Sequence, residues 1–133
     1  MEEVMGIGGI FFKATDKSAL CAWYRDNLGV AIEEEWGGAI FKWSENDPRN
    51  DAHTVWSPFS SDTRYFEPST KGFMVNFRVL DLAAMLEQLR RNGCDVDDTV
   101  EDTEYGKFGW VMDPEGNRIE LWEPPYSASK EMP

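Results

Sequence analysis

Residues 104–125 read EYGKFGWVMDPEGNRIELWEPP. The pattern predicts a β-hairpin: an aromatic-rich strand from Lys107 to Met112, a turn over Asp113-Pro114-Glu115-Gly116-Asn117, and a return strand from Arg118 to Glu123. Asp and Asn bond nearby backbone, Pro presets φ, and Gly tolerates positive φ, so each suits the turn. Side chains alternate along a strand, which puts Ile119 and Leu121 on one face and Glu120 and Trp122 on the other. An acid between two apolar neighbours in mid-strand either faces water or sits in a cavity that needs it. The functional reading therefore turns on Glu120.

Working back from the hairpin, Asp95 to Val100 suggests a strand and Gly93 closes a helix capped by Asp81. Leu82, Met85, Leu86 and Leu89 fall at i, i+3, i+4 and i+7, one buried stripe of that helix. Gly72 to Leu80 reads as a strand with Val75, Phe77 and Val79 on one face and Met74, Asn76 and Arg78 on the other. The stretch before it, SSDTRYFEPSTK (60–71), is polar apart from Tyr65 and Phe66 and reads as a linker.

The same order of elements precedes the linker. Gly6 to Thr15 is a strand, with Gly9, Phe11 and Lys13 on one face and Ile10, Phe12 and Ala14 on the other. Asp16 caps a helix whose apolar stripe is Leu20, Trp23, Tyr24 and Leu28, and Gly29 ends it. Short strands follow at Ala31 to Glu35 and Gly38 to Trp43, then a polar loop at 44–51. His53 to Trp56 is a last strand, stopped by Pro58. Landmarks in the two halves keep nearly constant offsets: Asp16 and Asp81 are 65 residues apart, Gly29 and Gly93 64, Trp56 and Trp122 66.

The expectation is an α+β fold of two tandem βαβββ modules, residues 1–60 and 72–125, joined by a linker at 61–71 and followed by a mobile tail at 126–133. Neither module buries its apolar sheet face alone. Together they form a curved eight-stranded sheet around a cleft, with helices outside. At 133 residues the chain makes one domain with a real core.

Composition narrows the function classes. Thirteen basic against 25 acidic residues, a net charge of −12, make nucleic acid a poor partner and favour cationic ligands. No apolar run is long enough for a membrane span, and the absence of an export leader points to the cytoplasm. Cys21 and Cys94 lack metal-ligand spacing and read as buried, reduced thiols. Six Trp, eight Phe and four Tyr exceed what a small core needs and suit an apolar ligand cavity.

With GIGGIFFKATD and WYRDNLGV opening one half and DPEGNRIELWEPP closing the other, the chain resembles the vicinal oxygen chelate superfamily. That group includes glyoxalases, extradiol dioxygenases, fosfomycin-modifying enzymes and bleomycin-binding resistance proteins. In its metal-dependent members, the resemblance implies ligands on the first and last strand of each module. Counting from the cap aspartates, the first-strand positions are Gly9 and Met74; matching Trp56-Ser57-Pro58 with Trp122-Glu123-Pro124 sets Thr54 opposite Glu120. A catalytic divalent metal takes about three protein ligands plus water, which this set does not supply. No cofactor is expected, and a divalent metal only if His53 and Glu120 both face the cleft. The alignment turns His53 away; a slip of one residue would turn it inward.

The candidate catalytic residues are Glu120, as general base or ligand anchor, and Tyr105, whose hydroxyl a loop brings over the cleft mouth. Lys13, Thr54, Asn76 and Arg78 are candidates for polar ligand contacts. Phe11, Trp43, Trp56, Met74, Trp110 and Trp122 are candidates for the apolar wall. Four functions remain open: a metal-free binder of a small aromatic or cationic molecule, a metal-free lyase or isomerase using Glu120, a divalent-metal enzyme of the glyoxalase or dioxygenase type, and an interaction module. The resemblance also implies a homodimer, with the cleft made either by the two modules of one chain or by swapped halves of the dimer.

Overall fold

The computed structural model describes residues 1–44 and 52–125. Strand β1 (Val4–Ala14) leads into helix α1 (Lys17–Leu28), where Asp16 accepts a bond from the Ala19 N–H and Gly29 ends the helix at φ 67°. Next come β2 (Ala39–Lys42) and β3 (His53–Ser60). The second half runs β4 (Phe73–Val79), α2 (Leu82–Arg91), β5 (Asp95–Val96), β6 (Glu101–Thr103), β7 (Gly106–Met112) and β8 (Arg118–Glu123). All eight strands belong to one mixed sheet in the order β2-β3-β1-β4-β8-β7-β5, with β6 also on β7.

The two halves meet at β1 and β4, which pair antiparallel within one chain. Each of these has its half's last strand parallel beside it, β3 on β1 and β8 on β4. The Asp113 turn forms as its chemistry requires: Asp113 Oδ1 accepts from the Glu115 and Asn117 N–H groups at 2.9 Å each, and Gly116 takes φ 82°. Bonds from Asn117 hold the Asp113 carboxyl below the usual carboxylate range.

The larger core lies under α2, where Leu82, Met85 and Leu86 pack on Val79, Val111 and Leu121. A second cluster, Phe66, Met74 and Trp110, is closed by partly buried Phe11, Phe59 and Tyr65. The presumed linker thus contributes to the interior. Phe66 is 1% exposed, against Phe59 with ring centroids 5.2 Å apart.

Several local expectations change. Ala31 to Glu35 is not a strand but a turn closed by a single bridge, Glu33 to Gly38. Pro58 does not stop β3: beyond Trp56 the β2 ladder has ended, so an imino acid breaks no bond on that side. The strand near Asp95 is only two residues long, and β6 arises where none was foreseen. Trp23 and Leu28 are exposed, so α1 buries chiefly Cys21, while Cys94 is exposed. The 44–51 loop and the 126–133 tail lie outside the described residues, apart from Ser44.

Candidate functional site

Glu120 sits in an interior strand with a partner on each side. Across the ladders it faces Asn76 of β4 and Trp110 of β7. Asn76 Nδ2 donates to Oε1 at 2.7 Å and Trp110 Nε1 donates to Oε2 at 3.0 Å. A third donor, the Tyr65 hydroxyl, reaches Oε2 from the segment joining the two halves. The acid is 2% exposed, and burial pushes its pKa up against the opposing pull of these bonds. Burial and the adjacent carboxylate also push the Tyr65 phenol up, so that group stays a donor.

Arg118, two residues before Glu120, braces this arrangement. Its guanidinium donates to the Tyr65 carbonyl, stacks 4.7 Å from the Trp110 ring centroid and 5.8 Å from that of Tyr65, and lies 3.5 Å from Asp97. Among the described residues, Asn76 Oδ1 and Arg118 Nε are buried without a hydrogen-bond partner.

A cavity of about 630 Å³ lies over Glu120, within the usual range for small-molecule sites. Asn76 and Glu120 form its polar floor. Phe11, Ile40, Val55, Phe108 and Trp122 supply apolar wall. Trp122 stacks on Phe108, 6.3 Å between ring centroids with planes 9° apart, and sends its Nε1–H to the Tyr105 carbonyl at 2.8 Å. Glu104 and Tyr105 mark the mouth, Tyr105 being 69% exposed.

The rim depends on Gly106, which holds φ 121°. A Cβ there would meet the Glu123 carbonyl at 2.4 Å and Trp122 Nε1 at 2.8 Å. Gly106→Ala should cost about 1–3 kcal/mol from backbone strain alone, read by thermal denaturation. A variant as stable as the parent would show that the rim tolerates a side chain.

The predicted residues divide. Phe11, Asn76, Tyr105, Glu120 and Trp122 line the cavity. Trp110 touches Glu120 from behind, and Met74 is buried in the cluster beneath Phe66 rather than on the wall. Thr54 and Trp56 project from the opposite face of β3: Thr54 bonds the Ile7 carbonyl and Trp43, and Trp56 packs on Tyr24 of α1 at 4.6 Å. Trp43 lies under the Arg78 guanidinium at 5.9 Å, and neither lines the cavity. Lys13 sits beside the start of α1, outside it.

The expectation for His53 is overturned. It lines the cavity with Val55, and its ring meets Trp122 edge-on at 5.2 Å. The parallel ladders explain the error. Phe11 pairs with Ser57 as Asn76 pairs with Glu120, so the structural counterpart of Glu120 is Ser57, not Thr54. Tyr65, Arg118 and His53, together with the lining residues Trp36, Ile40, Val55, Glu104 and Phe108, are site residues the sequence reading did not select. Tyr65 and Phe66 stood out as the only aromatic residues in a polar stretch, and Arg118 shares a strand face with Glu120.

A model of the glyoxalase/bleomycin resistance protein/dioxygenase superfamily matches residues 7–121. The chain belongs to this superfamily. Among solved structures of the same fold, methylmalonyl-CoA epimerase from Mycobacterium tuberculosis is 22% identical, with a TM-score of 0.60 over 92% of this chain and 90% of that one. The Streptomyces coelicolor methylmalonyl-CoA epimerase bound to 2-nitronate-propionyl-CoA is 18% identical, TM-score 0.63, over 93% and 100%. A superfamily member from Vibrio splendidus 12B01 is 13% identical, TM-score 0.57, over 92% and 99%. No curated protein sequence matches the chain.

Divalent metals serve many members of the superfamily. His53 and Glu120 do share one cavity, the condition under which a metal was expected. Gly9 offers no side chain, Met74 is buried in the core, and Thr54 is turned away. Among the described residues no group of three or more His, Cys, Asp or Glu could hold an ion. Three of the roughly four lone-pair directions of Glu120 already accept hydrogen bonds. These residues do not fit a catalytic metal.

Proposed function

We propose that the chain binds a small molecule in the cavity over Glu120, its apolar or aromatic body against Phe108 and Trp122 and a cationic or hydrogen-bonding end at the acid. The supporting observation is a buried carboxylate on the floor of a largely apolar, ring-lined cavity of about 630 Å³. A net charge of −12 favours approach of a cation. Titration of tryptophan fluorescence with aromatic amines tests this at low and high salt. Binding should weaken with salt, and Glu120→Gln should reduce affinity by about tenfold or more, as for loss of one charged hydrogen bond. Equal affinity of parent and variant across the series would overturn the reading.

A second reading treats Glu120 as the general base of a metal-free isomerase or lyase acting on a small carbonyl or hydroxy compound. The raised pKa and the single partner on Oε1 favour it. It predicts that Glu120→Gln abolishes turnover while the fold and part of the ligand affinity survive. We also propose a homodimer, supported by the open sheet edge at β2, where Ile40 and Phe41 are exposed. A single-chain mass by light scattering would rule that out.

A further inference from the structure

We infer that Tyr65, Asn76 and Trp110 together replace a cation around Glu120, and that the connector tyrosine is the donor that keeps a divalent ion out. The metal-free character of the site would then be built by the chain, rather than left by the mere loss of ligands.

A buried carboxylate must be compensated by a cation or by hydrogen bonds. Here Oε2 accepts from the Tyr65 hydroxyl and the Trp110 indole, and Oε1 accepts from the Asn76 amide. Each presents a positively polarised hydrogen where an ion would need a bare lone pair. The indole N–H has no acceptor capacity, so Trp110 cannot become a ligand. The Tyr65 hydroxyl directs its hydrogen at Oε2, so it too meets the acid as a donor.

Two of the donors are fixed by the sheet itself, being on the strands flanking Glu120. Tyr65 is different. It arrives from outside the sheet, held by Arg118 at its carbonyl and ring and stacked on Phe59 at 5.8 Å with planes 14° apart. Removing its hydroxyl therefore frees one lone pair of Oε2, the other still taken by Trp110, without disturbing the strand pairing. A histidine in place of Asn76 would then join Glu120 and the cavity-facing His53 in a set of two imidazoles and one carboxylate, a common transition-metal ligand set.

Cobalt(II) is the test ion, read by its visible absorption and by the shift in melting temperature. The parent should bind none at this site, with Co²⁺ and EDTA leaving its melting temperature alike. The double variant Tyr65→Phe, Asn76→His should gain affinity by about tenfold or more, the order expected when a hydrogen bond to a charged acceptor is released. Adding Glu120→Gln should remove that gain. Circular dichroism first establishes that each variant is folded, and Tyr65→Phe alone serves as the milder variant: it should show a smaller gain. One Co²⁺ per parent chain, lost in Glu120→Gln, would overturn the inference. So would folded variants that bind cobalt no better than the parent. No organic ligand enters these measurements, so their outcome is independent of the proposed binding function.

Discussion

Replacing Glu120 with leucine should destabilise the protein by about 3 kcal/mol or more, at roughly 1 kcal/mol for each of three buried donors left without an acceptor. The donors are the Tyr65 hydroxyl, the Asn76 amide and the Trp110 indole, all directed at the carboxylate. Glutamine at the same position should be far milder. Its oxygen can still accept from Tyr65 and Trp110, and its amide N–H can donate to Asn76 Oδ1, which has no partner now, once that amide turns over. Urea denaturation of the two variants separates these cases. Equal loss in both would mean that volume, not hydrogen bonding, dominates.

The pair also tests the charge state. Burial holds the Glu120 pKa above its usual value, so the folded chain keeps this proton to a higher pH than the unfolded chain does. Between the two pKa values the folded state binds more protons. Stability from this group therefore falls as pH rises from the ordinary carboxylate value to the folded one, and is level on either side. The stability difference between parent and Glu120→Gln should carry that slope, in that window. A difference that stays flat with pH would show that the acid is not held by burial.

Phe66→Ala should cost about 3–5 kcal/mol, the usual range for emptying a buried phenylalanine site. The ring is 1% exposed and packs with Met74 and Trp110, so the void would open against the indole that donates to the acid. Because Tyr65 is its neighbour in the chain, the variant should also weaken ligand binding through the loosened hydroxyl. A stability loss below about 1 kcal/mol would mean that the connector is not part of the core.

The parts of the molecule set by local rules were legible in the sequence. Asp16, Asp81 and Gly29 mark helix ends because capping is decided within a few residues. The hairpin around Asp113 was legible for the same reason, and alternation placed Glu120 and Trp122 on the cavity face. The misreadings concern register between distant strands. Matching Trp56 with Trp122 ignored the actual pairing, and the shift from Ser57 to Thr54, an odd number of residues, exchanged His53 with Thr54 across the sheet. Tyr65 was missed because composition labels a segment polar or apolar on average. One ring in a polar stretch can still be the residue that reaches the interior.

The connector has a consequence for evolution of the chain by exchange of halves. In an ordinary tether, two copies trade modules without disturbing anything but the tether itself. Here the crossing segment is clipped to the interior by one phenol and one benzyl ring. Straightening it to reach a neighbouring copy would strip the acid of a partner and empty a core position at once. Intertwined forms of this protein should thus be disfavoured until those two aromatic positions change.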